Sequence, residues 1–157
     1  MQTDAPKIRP PVGIFVTPFA PRLPANSALA SNIVKKISET NAVEFSELLP
    51  SDIKENLSGV YFIATKKHEI LYVGKASNLR RRIYTNQLQG NLSTARLKKY
   101  LIEDKELPEI DNPKKAKEWI KKICYFKILT EEDIRNRAEY EHLLSYYLSP
   151  RYLDLIR

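Results

Sequence analysis

The sequence predicts an α+β domain: a small antiparallel three-stranded sheet surrounded by helices, in the order β-β-α-α-α-β-α, behind a proline-rich N-terminal extension. Three observations lead there. Two short runs rich in β-branched and aromatic residues, Val60 to Thr65 and Ile70 to Val73, are joined by the polar Lys66-Lys67-His68-Glu69, which is a hairpin pattern. The rest of the chain after Gly59 alternates capping residues with helix-period apolar stretches. Seven of the ten prolines fall within residues 1–50, where they interrupt any long regular element.

Taken in order, residues 1–57 read as an arm, with a short edge strand at Val12 to Phe19 and one amphipathic helix over Ser27 to Thr40 through Leu29, Ile33, Val34 and Ile37. Residues 58–157 read as the main domain. After the hairpin, Asn78 is the expected N-cap of a helix reaching about Leu88. Gly90 separates it from a second helix capped by Ser93 or Thr94 and ending at Ile102. Pro113, suited to a first helical turn, opens a third helix to Ile123. Cys124 to Leu129 is the third strand, and a last helix runs from about Glu131 to Leu148, stopped by Pro150.

Charge narrows the partners. Lys plus Arg outnumber Asp plus Glu by 26 to 19, a net charge of +7, and between Lys66 and Lys99 nine basic residues face Glu69 alone. Such a field suits a polyanion, although a solvated basic surface would look the same. Cys124 is the single cysteine, which excludes an internal disulfide and a cysteine-built zinc site. With neither a signal-like apolar stretch nor an apolar run of membrane-spanning length, the expected location is cytoplasmic and no membrane partner is expected.

Several side chains could carry chemistry. At 100° per residue Glu141 falls on one helical stripe with Ile134 and Leu148, and with Ala138, Leu144 and Ser145 close by, so its carboxylate faces the core. Burial without a partner would be costly, and an arginine, a metal ion or both should answer it. Arg80, Arg81 and Arg82 open a helix, and a guanidinium fork there matches phosphate oxygens, but two of three adjacent arginines must point away from any one site. Arg80 and Arg81, with Arg96, Lys98 and Lys99 further on, are the expected contacts to nucleic-acid backbone. Tyr61 and Tyr72 fit ordinary strand aromatics. Gly74 allows close backbone approach or a positive φ, and Lys75 follows where an ammonium could lower the pKa of a nearby phenol.

The triplets Gly59-Val60-Tyr61 and Tyr72-Val73-Gly74, ten residues apart and followed by the basic helix start, resemble the GIY-YIG nuclease superfamily. The run Tyr72 to Arg82 is similar to that of the excision-repair nuclease subunit UvrC, and the resemblance extends to Leu153. It implies phosphodiester hydrolysis with one divalent cation, Mg2+ or Mn2+, per active site. Arg82, eight residues after the final glycine, would be the catalytic arginine. Glu141, nine residues before Pro150, would hold the metal. Tyr61 or Tyr72, helped by Lys75, would accept a proton from the attacking water. DNA is the expected substrate and RNA the alternative, with specificity left to loops, a homodimer or a partner protein. Two positions depart from the pattern: Leu153 stands where many members have asparagine, and Asn86 where members often carry tyrosine or histidine, with Tyr84 nearby as a substitute. These departures motivate a second reading, an inactive nucleic-acid-binding module on the same fold. A third is a protein-interaction module.

Overall fold

The computed structural model describes residues 24–153. The edge strand expected at Val12 to Phe19 lies outside them. Helix α1 spans Pro24–Ser38, and a two-residue strand β1, Val43–Glu44, follows it. Two short 3-10 turns, Phe45–Glu47 and Pro50–Asp52, lead to the hairpin of β2, Gly59–Thr65, and β3, Ile70–Ala76. A π-helix over Arg81–Leu88, α2 at Arg96–Glu103 and α3 at Pro113–Ile123 precede β4, Cys124–Thr130, and α4, Ile134–Leu148.

The sheet is antiparallel and has four strands, in the order β1-β4-β2-β3, rather than the expected three. The extra strand pairs only Val43 with Phe126 and Glu44 with Tyr125. Two residues are too few for an alternating pattern to register in sequence. Both faces of the sheet are covered, as alternation along a strand requires when helices lie on either side. On one face Tyr61, Ile63 and Tyr72 pack with Ile83, Leu97, Leu101 and Ile120 from the π-helix, α2 and α3. On the other, Val60, Phe62 and Val73 pack with Ile33 and Ile37 of α1 and Leu144 of α4. The segment read as an arm thus contributes Ile33, Ile37 and Phe45 to the core, each essentially without solvent exposure.

Helix ends show where local chemistry was read well and where it was not. Asn78 does cap its helix, its Oδ1 accepting the Arg81 N–H at 3.0 Å. The following residues wind as a π-helix, with Gln89 N–H donating to the Tyr84 carbonyl five residues back. Pro113 sits in the first turn of α3 as expected, with Asn112 Oδ1 accepting the Lys115 N–H at 2.9 Å. Ser93 and Thr94 do not cap α2: the capping position is Ala95, and the Ser93 backbone and hydroxyl are taken up by Asn91 Oδ1. Helix α4 begins at Ile134 because Asp133 accepts the N–H groups of Arg135 and Asn136. Its buried stripe is Arg137, Glu141 and Leu144, whereas Ile134, expected on that stripe, is 71 % exposed in the first turn. Ser149, in the left-handed region at φ 48°, ends α4 before Pro150. The chain then returns along β3, where Arg151 and Tyr152 N–H groups donate to the carbonyls of Ile70 and Leu71. Among the described residues no helix is long and apolar enough to cross a membrane.

Candidate active site

The hairpin register puts Tyr61 directly opposite Gly74 and Ile63 opposite Tyr72, so both tyrosines share one face. The role of Gly74 follows. A Cβ there would lie 2.6 Å from Tyr61 Cζ and from its hydroxyl, so the ring can settle over this strand only because position 74 has no side chain. Close approach, not a positive φ, is what the glycine supplies.

Tyr61 is fully buried, and three groups act on its hydroxyl. Gln87 Nε2 donates to it at 3.1 Å, and Arg82 and Glu141 both lie close enough to bear on its ionisation. Burial pushes its pKa up, and the Gln87 and Arg82 contacts offset that only in part. The sequence suggested a phenol with lowered pKa near Lys75; for Tyr61 the direction is the reverse, because the ring is sealed from water. Tyr72 is also buried, its ring centroid 6.3 Å from that of Tyr61. Beyond it stand Tyr100, at 6.4 Å, and Tyr152, stacked on Tyr100 at 5.5 Å.

Glu141 is only 4 % exposed, as its place on α4 led us to expect. Its Oε1 is 3.2 Å from Lys75 Nζ, so a lysine is one cation that answers the carboxylate in this structure. The Lys75 side chain is itself 42 % exposed. Arg82 is exposed while bearing on the ionisation of the buried phenol. A carboxylate and two phenols are hard oxygen donors, the type Mg2+ and Mn2+ prefer, and Glu141 could hold such an ion. Among the described residues no three His, Cys, Asp or Glu side chains converge, so an ion at Glu141 would draw its remaining ligands from water and substrate oxygens.

The expected nucleic-acid contacts divide. Arg81, Arg96 and Lys99 are exposed. Arg80 instead donates from Nε to the Ile53 carbonyl at 2.7 Å and pairs with Glu55, tying the helix start to the segment before β2. Lys98 is a clear correction. It is 3 % exposed, donates to the Gly90 carbonyl at 2.9 Å, and its pKa is pushed down to about 8 by burial and by the nearby Lys117. Its neighbour Leu97 and Leu101 one turn on face the core, and position 98 turns in with them. Tyr84 is half-buried and accepts a hydrogen bond from Gln89, while Asn86 closes the end of the π-helix by accepting the Gly90 N–H with its carbonyl. Leu153, at the position where asparagine was anticipated, is 46 % exposed.

Two residues escaped the sequence reading. Gln87 carries no local signal, because its partners Tyr61 and Leu97 are met only in three dimensions. Arg151 gathers Glu69, Asp104 and Glu106, all at least 45 residues away in the chain.

Residues 57–110 match the UvrC-like GIY-YIG domain. This segment belongs to the GIY-YIG superfamily. The GIY-YIG match includes Tyr61, Tyr72, Gly74, Lys75 and Arg82, and Glu141 lies beyond it on α4. No curated protein and no solved structure matches the chain.

Proposed function

We propose that the protein is an endonuclease that hydrolyses phosphodiester bonds in DNA with one divalent cation, Mg2+ or Mn2+, per active site, and that it works in the cytoplasm. The observation that carries this reading is a buried phenol seated against Gly74 whose ionisation is felt by both an exposed guanidinium, Arg82, and a buried carboxylate, Glu141, with Lys75 paired to that carboxylate. Arg82 neutralises charge as it builds on the phosphate, where a planar fork of donors is worth most. Glu141 would hold the cation, which when bound would supply charge to the phosphate and acidify water. Lys75 balances Glu141 before substrate arrives, and its ammonium turns to a phosphate oxygen afterwards.

The two phenols take different roles. Tyr61, with its pKa raised, stays protonated and is a poor acceptor at neutral pH. The proton of the attacking water is then left to Tyr72. The test is cleavage of supercoiled plasmid, single-stranded DNA and RNA with Mg2+ or Mn2+ and with chelator. Metal-dependent cuts in DNA are expected; RNA cut in preference would reverse the substrate assignment. Binding to DNA without cleavage of any substrate would favour the inactive binding module, for which Leu153 and Asn86 are the motivating departures.

A further inference from the structure

Gln87 lies in the π-helix, is 2 % exposed, and is tied at both ends of its amide. Its Oε1 accepts the backbone N–H of Leu97, in the first turn of α2, at 3.3 Å, and its Nε2 donates to the Tyr61 hydroxyl at 3.1 Å. The direction of these bonds is fixed by chemistry. A backbone N–H can only donate, so the oxygen of the amide must face Leu97 and the NH2 must face the phenol. The amide therefore occupies an acceptor position of the phenolic oxygen, and the phenolic proton is left for a partner other than Gln87.

We propose that Gln87 is a positioning residue that sets the polarity of Tyr61, holding the buried phenol as an acceptor toward the π-helix and leaving its proton for a hydrogen-bond acceptor of the site. The proposal rests on the nuclease reading above for its catalytic consequence, but the polarity is a property of the folded chain alone. It also links the start of α2 to the site, because the amide can serve Tyr61 only while Leu97 holds its other end.

The test compares Gln87→Glu with Gln87→Met. A glutamate keeps an acceptor for the Leu97 N–H but offers a second acceptor to Tyr61, turning the phenolic proton inward. With its new carboxylate ionised, Gln87→Glu should keep KM for DNA and lose about a hundredfold in kcat, and burial of that charge should lower its melting temperature. Gln87→Met removes both bonds and should lose stability as well. In the Tyr61→Phe background, Gln87→Glu should cost nothing more in kcat, because the two residues act as a unit. Gln87→Glu with the wild-type kcat, or full additivity with Tyr61→Phe, would overturn the proposal.

A second readout needs no turnover. In protein carrying 13C at the tyrosine Cζ, with the Tyr61 resonance assigned through Tyr61→Phe, replacing a donor by an anion should move the onset of Tyr61 titration to higher pH. An unchanged titration would overturn the polarity assignment even in an enzyme that cleaves. The expected shift in a protein that cleaves nothing would uphold it while the nuclease reading fails.

Discussion

At the level of single residues, one missing side chain at Gly74 and one buried charge at Lys98 have measurable consequences. Gly74→Ala would put a methyl group 2.6 Å from the Tyr61 ring, and overpacking of that kind should cost about 1–3 kcal/mol, read as a lower urea midpoint with an unchanged slope. Lys98 gives a pH signature whose sign can be worked out. Its folded pKa of about 8 lies below its ordinary 10.5, so between those values the unfolded chain binds more protons, and stability rises with pH there. Below pH 8 the penalty of the buried ammonium is present in full. The stability of wild type relative to Lys98→Met should accordingly improve as pH rises from 8 to 10, in parallel denaturation curves at each pH; a flat difference would mean that Lys98 titrates as an ordinary lysine. Glu141 was legible in sequence because a carboxylate between apolar helix positions stands out. Lys98 was not, because one basic residue in a basic run carries no mark of which way it points.

Helices and strands were legible where their signals are local. The hairpin, the Asn78 cap, Pro113 in the first turn of α3 and the last strand all follow from short stretches of residues that meet within a few positions. The two-residue β1 depends on a partner strand far along the chain, and the start of α2 draws on the Gln87 side chain ten residues back. For α4 the error had a local cause: Glu131 looked like a helix start, but Asp133 takes two backbone N–H groups and moves the first turn by three residues. Asp133→Ala should therefore cost about 1 kcal/mol, as a lower thermal midpoint. Because α4 carries Glu141, the same change should raise the rate of hydrogen exchange through that helix. A stability equal to wild type would show that the cap contributes nothing there.

Across the whole molecule, the positive charge that pointed to a polyanion is real in number but divided in use. Arg81 and Lys99 are exposed, whereas Arg80 and Lys98 are committed to the Ile53 and Gly90 carbonyls. If the first pair meets backbone phosphates, replacing either with Gln should reduce the slope of log affinity against log salt by about one. Arg80→Gln should leave that slope alone and lower stability. The fold's two covered faces bring α4 against the hairpin, and this is how Glu141 comes to act on Tyr61 across 79 intervening residues. The most direct measurement of the central claim is single-turnover cleavage of DNA by wild type and Glu141→Gln, with binding measured on the same substrate. The account predicts at least about a hundredfold loss of cleavage rate with affinity retained, as expected when a group acts only in the transition state. Cleavage by Glu141→Gln at the wild-type rate would contradict it and leave the carboxylate as no more than the structural partner of Lys75.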